Sequence, residues 1–231
     1  MEIHPIAHFH SPFKDKFGVP RQSSLVNELR GTIVFTPEYR SPETLRGLDG
    51  FDYLWVVWAF SANVHAPKHN TVRPPRLGGN SRQGVFATRS SFRPNNLGLS
   101  SVRIIEIAAE TPQGPVITVA GADLMDGTPI YDIKPYVPFT DSHPDARGGF
   151  VDAVQWDTLE VCVDCAVPTA MTTEEMTTIT AVLRQDPRPQ YHDDPARIYG
   201  MLFGRWNIRF TVRTDTLHIV GIDDTGAALP V

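Results

Sequence analysis

Residues 101–133 read SVRIIEIAAETPQGPVITVAGADLMDGTPIYDI. Three runs rich in Val and Ile, 101–108, 116–122 and 129–133, are separated by segments carrying Pro, Gly and Asp. Short β-branched runs bounded by turn residues predict strands. Working outward, runs 3–9, 32–36, 51–60 and 84–88 have the same character, with Phe, Tyr and Trp added. The first 140 residues therefore predict about seven strands, with a short helical turn at 42–48. No steady alternation of strand with a helix of about 12 residues is present, which argues against a doubly wound sheet. Irregular loops between short strands fit a closed or nearly closed antiparallel barrel.

Residues 141–156 (DSHPDARGGFVDAVQW) are polar and without a clear period, and read as a linker. A smaller α+β unit is expected beyond it. Thr172 with Glu175 three positions on makes a capping-box pattern. Met176, Ile179 and Leu183 then share one helix face, and the helix should stop before Pro187. Strands are expected at 158–167, 199–203, 207–213 and 216–222, the last two forming a hairpin. The chain thus reads as mainly β, with a barrel domain over 1–141, a linker over 142–156 and a small α+β domain over 157–231.

With 231 residues, 41% hydrophobic and 20% charged, the composition is that of a soluble globular protein. Twenty Pro and seventeen Gly favour turns and short strands over long helices. No run approaches the roughly 18 apolar residues of a membrane span. The first residues lack a basic start followed by an apolar core, so a cytoplasmic protein is expected. The two cysteines, Cys162 and Cys165, stand in VCVDCAV, where strand alternation sends positions three apart to opposite faces. His8 and His10 share a strand face without an evident third ligand. No metal site is expected.

Charge is distributed unevenly. Residues 68–103 hold Lys68, Arg73, Arg76, Arg82, Arg89, Arg93 and Arg103 and no Asp or Glu, although the average acidic content predicts roughly four. The whole chain carries −5, so its remainder is near −12. A basic stretch kept in an acidic protein is the footprint of a polyanion site.

Walker A, strand-anchored G-x-G-x-x-G, H-E-x-x-H and G-x-S-x-G motifs are missing. Four clusters remain: the loop 11–22; the basic stretch; Asp123 and Asp126 in GADLMDGTP; and Asp186-Pro187-Arg188-Pro189-Gln190-Tyr191. The paired Asp residues could accept from ribose hydroxyls or an amine, or bond their own turn. Arg188 could meet phosphate and Tyr191 could stack on a base, while a helix-stop turn explains the prolines equally well.

These clusters resemble the TrmO (TsaA-like) family. The matching text is SPFKDKFGVPRQ (11–22), GLDGFDYLW (47–55), VRPPRLGGNSRQGVFATRSSFRPNNLGLS (72–100) and DLMDGTPIYDIKPYVP (123–138), in that order. DPRPQY (186–191) and YGMLFGRWNIRF (199–210) resemble the C-terminal domain of the longer, bacterial-type members. The resemblance implies an S-adenosylmethionine-dependent tRNA methyltransferase with an antiparallel β-barrel, working as a homodimer, with neither membrane nor DNA as partner. The implied substrate is threonylcarbamoyl-adenosine just 3′ of the anticodon, methylated on N(6). The implied cofactor contacts are Pro20, Arg21, Gln22, Ser61, Ala62, Arg89, Leu99, Asp123, Leu124, Met125 and Asp126. Ser61 stands where the family usually has His, and Asn96 where it usually has Pro.

Alignment of an electrophilic methyl with a weak nitrogen nucleophile is the main task of such an enzyme. The nitrogen's proton must also leave, for which Asp126, Asp132, Tyr191 and His192 are candidate acceptors. Arg73, Arg76, Arg93 and Arg188 are expected to meet phosphate or the threonyl carboxylate. A non-catalytic RNA-binding barrel and a methyltransferase of the same fold with another substrate are the alternatives.

Overall fold

A computed structural model describes residues 2–63, 69–74, 81–153, 157–189 and 194–227. Six strands close into a barrel in the order β1-β2-β7-β6-β3-β8. They are β1 (Ala7–His10), β2 (Arg30–Phe35), β3 (Tyr53–Ala59), β6 (Leu97–Ala108), β7 (Val116–Ala120) and β8 (Thr128–Pro135). Every pairing in it is antiparallel. The expected strand at 84–88 is not formed. Gln83–Gly84 is β5, a two-residue ribbon with β4 (Thr71–Val72), and Val85–Ala87 turn into a 3-10 helix. Only Val85 of that turn is buried, so the run lacks the alternating inner face a barrel strand needs.

Alternation is clear elsewhere. Leu54, Val56 and Trp58 of β3 point inward and pack with Phe9, Ile33, Val102, Ile117, Val119 and Ile130. Gly98 pairs directly with Trp58, and a Cβ there would collide with the indole ring. The glycine thus makes room for the largest inward-facing side chain of β3.

The second unit is a four-stranded sheet in the order β10-β11-β12-β9, covered by helix α2 (Thr173–Leu183). Its strands are β9 (Glu160–Val163), β10 (Tyr199–Phe203), β11 (Trp206–Arg213) and β12 (Thr216–Asp224), with β9 parallel to β12. Between the units lie the one-turn helix α1 (Pro138–Asp141) and a 3-10 turn at Gly149–Val151. Both cysteines are free thiols.

The capping box at the start of α2 is formed: Thr172 Oγ1 accepts from Glu175 N, and Glu175 accepts from Thr172 N. Glu175 also accepts at 2.8 Å from the indole of Trp206, which is fully buried. Burial works against ionisation of Glu175, but the Thr172 N–H, the Trp206 indole and the Thr172 hydroxyl outweigh it and hold the carboxyl below its ordinary 4.5. A depressed folded value means stability that is present above 4.5 and lost as pH falls through the folded value. Glu175→Gln removes the charge and one of the two acceptor oxygens, so its amide N–H group must face either the Thr172 N–H or the Trp206 indole. It should cost about 1–2 kcal/mol at pH 7, solvent screening much of the charge part, and less at pH 3, where the charge contribution shrinks and the lost acceptor remains. Urea unfolding at the two pH values checks this; an equal loss at both would refute it.

The units share a core. Phe13, Val26 and Leu29, from the long loop between β1 and β2, are buried among Ile179, Leu183, Met201, Trp206 and Phe210 of the second unit. Phe13 meets Phe203 edge-on at 5.5 Å between centroids, and Phe17 stacks over Tyr199 and Phe210. Pro12 O accepts from Gly204 N at 2.8 Å, and Glu28 O accepts from Thr178 Oγ1.

Candidate functional site

Antiparallel register decides where the motif loops go. His10, Arg30, Ala120, Leu97, Ala59 and Thr128 all lie at or next to the same end of the barrel, because each strand that ends there pairs with one that starts there. The loop 11–29, the turn 60–63, the segment 85–96 and the run 121–127 therefore emerge from one rim. Motifs more than a hundred positions apart are gathered there by topology.

Hydrogen bonds then tie the four segments together. Arg89 Nη1 donates to Gln22 Oε1 at 2.7 Å. Asp123 Oδ1 accepts from Ser100 Oγ at 2.5 Å, and Ser100 Oγ accepts from Trp58 Nε1 at 3.0 Å. The indole therefore leaves the Ser100 hydroxyl proton for the carboxylate. Ser24 N donates to Gly121 O, and Gly121 N to Leu29 O. Lys16 Nζ donates to Ala62 O at 3.0 Å and to Asn63 Oδ1, and Asn63 Nδ2 reaches Ser91 Oγ.

Asp123 is the electrostatic centre. Burial pushes its carboxyl above the ordinary 3.8, with the Ser100 hydroxyl, backbone N–H groups including that of Ser23, and the Arg89 charge pulling the other way. Asp126 lies at the rim, its Oδ1 accepting from Ser11 N at 3.3 Å and meeting His10 Nδ1 at 3.1 Å. Leu99 projects outward, 57% exposed, beside buried Ser100. In the basic stretch Phe86 is 77% exposed, with the Arg93 guanidinium 6.0 Å from its ring centroid.

Gln22 and Arg89 are thus joined directly, and Asp123 is tied to them by the Ser23 backbone N–H and the Arg89 charge. Pro20 is buried, Ser61 and Ala62 are exposed in the rim turn, Leu124 is buried in the barrel core and Met125 is half-buried. Leu124 can therefore present only its backbone to a ligand at the rim. Arg21 turns away, donating through Nη2 to Asp186 O and Arg188 O. Arg93 donates to Thr88 O at 2.6 Å and Val85 O at 3.3 Å, holding the 3-10 turn before Arg89. Arg188 forms a two-pronged pair with Asp186, Asp132 is paired with Lys134 at 3.1 Å, and Arg73 is exposed beyond β4. Arg76, Tyr191 and His192 lie outside the described residues. Asn96 takes φ 52°, which asparagine tolerates and proline, fixed near −65°, cannot adopt. This turn is therefore one the family's usual residue could not make.

Lys16, Ser91 and Ser100 lay in the quoted stretches without being assigned a role, and Asn63 was not noted. Only Ser100 carried a signal, as a polar residue on the inward register of an apolar strand. Among the described residues, no group of three or more His, Cys, Asp or Glu could hold a metal ion, and no helix is long and apolar enough to cross a membrane.

The described site offers a half-buried carboxylate, a guanidinium, a carboxamide and an apolar shelf at Leu99. These are the groups that a charged nucleoside with hydroxyls requires, and they sit at the rim of a closed antiparallel barrel. Fold and site together define a closed antiparallel β-barrel protein with a polar site at one rim, built without a Rossmann turn. The chain belongs to the tRNA-methyltransferase O family: residues 8–142 match the family's N-terminal domain and residues 158–225 the TrmO C-terminal domain. It is 37% identical over 230 residues to the tRNA (adenine(37)-N6)-methyltransferase of Escherichia coli, covering 96% of this chain and 97% of that one. A Pseudomonas aeruginosa protein named for S-adenosylmethionine-dependent methyl transfer is 38% identical over 206 residues, 86% of this chain and 87% of that one. The crystal structure of TrmO from Pseudomonas aeruginosa superposes with a TM-score of 0.75 at 30% identity, covering 97% of each chain.

Proposed function

We propose that this chain is a tRNA (adenine(37)-N6)-methyltransferase that takes its methyl group from S-adenosylmethionine and acts on threonylcarbamoyl-adenosine. The observation that carries the proposal is the meeting of Gln22, Arg89 and Asp123 at the barrel rim, beside an acid-free basic stretch. Membership of the family supports it. The domain division at 1–141, 142–156 and 157–231, the homodimer and the cytoplasmic location belong to the same proposal. Exposed Leu99 and Ile105 on the outer face of β6 support the homodimer.

The donor set fits the cofactor. Asp123 is an acceptor for ribose hydroxyls, its orientation fixed by Ser100. Arg89 and Gln22 brace each other, so both hold one geometry before anything binds, which lowers the ordering cost. Pro20, Met125 and the backbone of Leu124 shape the walls, with Ser61 and Ala62 closing the rim and Arg21 holding the loop from behind. When bound there, S-adenosylmethionine supplies an electrophilic sulfonium methyl. The chain's own task is alignment of the attacking nitrogen. Asp126 is the proposed proton acceptor, its carboxylate oriented by Ser11 N and His10. Tyr191 is the other proposed participant, stacking on or near the substrate base. Arg73, Arg76, Arg93 and Arg188 carry charge for tRNA phosphates, and exposed Phe86 offers a face on which an unpaired base can stack.

The test is transfer of a labelled methyl group from S-adenosylmethionine to two tRNA pools, one carrying threonylcarbamoyl-adenosine and one lacking it. Label only in the modified pool is expected. Label in both removes the substrate assignment. Label in neither, from folded protein, favours an RNA-binding barrel.

Arg89→Ala should weaken S-adenosylmethionine binding by about tenfold to a hundredfold, the range of a lost charged hydrogen bond, while unfolding stays within about 1 kcal/mol of wild type. Calorimetric titration beside thermal unfolding checks both; unchanged affinity would remove Arg89 from the site.

A further inference from the structure

The loop that carries Pro20 and Gln22 is held from behind by the C-terminal unit. After α2 the backbone turns at Asp186, whose φ of 47° is left-handed, and then enters Pro187. This turn aims two carbonyls, of Asp186 and Arg188, at one point. The Arg21 guanidinium sits there, with Nη2 at 3.2 Å and 3.0 Å from the two oxygens. A cation at the end of a helix also complements the helix dipole. The Asp186 carboxylate fixes the turn by clasping Arg188 through Nε and Nη2, both at 2.8 Å. A cleft of about 280 Å³, lined by Phe17, Pro20, Arg21, Val182, Gln185 and Pro187 among others, marks the seam. Burial lowers the Arg21 pKa from its ordinary value and Asp186 opposes that, as expected of a cation spent on protein groups.

We infer that Arg21 is a positioning residue whose guanidinium latches the donor-site loop to the end of α2, so that the C-terminal unit holds the donor site in shape. This rests on the proposed use of S-adenosylmethionine. Gln22, the next residue, faces the opposite way, toward Arg89. With one side chain latched behind and the next presented in front, the strip between them cannot rotate. Loss of the latch frees Gln22, and through it Arg89, without removing any group from the rim.

The experiment is a double-mutant cycle read as S-adenosylmethionine affinity by calorimetry on the full chain, at a temperature where all variants are folded. Arg21→Ala breaks the latch from one side. Asp186→Val breaks it from the other, because a β-branched residue does not hold φ near 47° and both carbonyls move. Each single variant is expected to weaken affinity by about tenfold, and the double variant by no more than either, since contacting partners are non-additive. Arg21→Lys, which keeps the charge but not the planar guanidinium, runs the same cycle with a milder change and is expected to lose less. If Asp186→Val leaves affinity at the wild-type value while Arg21→Ala weakens it, Arg21 contacts the donor directly and the inference fails. It also fails if both variants melt earlier with affinity unchanged. Wild-type protein that binds no S-adenosylmethionine would instead refute the functional proposal beneath it.

Discussion

Gly18→Ala is expected to destabilise the protein by about 3 kcal/mol, a fall of about 9 °C in melting temperature for a chain of this size. Two costs combine. Gly18 has φ 93°, a left-handed conformation that costs an L-residue about 1–2 kcal/mol. An added Cβ would also stand 2.5 Å from Met201 Sδ, 2.8 Å from Met201 Cγ and 3.1 Å from a Phe13 ring carbon. Met201 and Phe13 are fully buried, so neither has solvent to swing into, and overpacking of this kind costs about 1–3 kcal/mol. Gly47 separates the two costs: its φ is 83°, and a Cβ added there would meet nothing within 4 Å. Gly47→Ala should therefore cost only about 1–2 kcal/mol. Thermal unfolding of both variants decides it, and equal losses would show that the seam yields to the extra methyl. Because Gly18 lies two residues before Pro20, its displacement should also weaken S-adenosylmethionine binding.

That seam is where the sequence was least legible. Strand positions could be read because alternation is local: Leu54, Val56 and Trp58 announce an inward face within five residues. The capping box at Thr172 and Glu175 and the hairpin of β11 and β12, closed at Arg213 and Thr216, are local too, and both are formed. The strand expected at 84–88 failed because composition favoured it while no burial partner existed for a second face. Arg89 therefore follows a 3-10 turn, fastened by Arg93. The candidate site was legible as four clusters of residue types, but their meeting was not. It depends on strand register around a closed barrel, a property of all six strands together. The role of Phe13, Val26 and Leu29 was hidden for the same reason. Nothing within 11–29 tells that its apolar residues belong to a core built mainly from the far end of the chain. Arg21 looked like a ligand-facing cation because charge is visible in sequence and direction is not.

Asp123→Asn should separate stability from function. The folded carboxyl has its pKa raised above 3.8, chiefly by burial, so between 3.8 and the folded value the native state holds a proton that the unfolded state has released. Native stability then falls as pH rises from 3.8 through the folded value and stays lowered above it. An amide at this position carries no charge to desolvate and can keep the acceptor oxygen toward Ser100. At pH 7 the variant should be more stable than wild type by about 1 kcal/mol, within the range typical of relieved active-site carboxylates. The advantage should shrink as pH falls toward and through 3.8, where the unfolded carboxyl also takes up its proton. S-adenosylmethionine affinity should move the other way and weaken by about tenfold to a hundredfold, since an acceptor for hydroxyls is lost and an amide donor faces Arg89. Unfolding of both proteins at pH 7 and pH 3.5, with titration of S-adenosylmethionine at pH 7, tests the pair of expectations. A variant less stable at both pH values would show that Asp123 is retained for structure. A more stable variant with unchanged affinity would remove it from the donor site. Higher stability with lost affinity would mark it as a carboxylate buried at a cost to the fold and kept for binding.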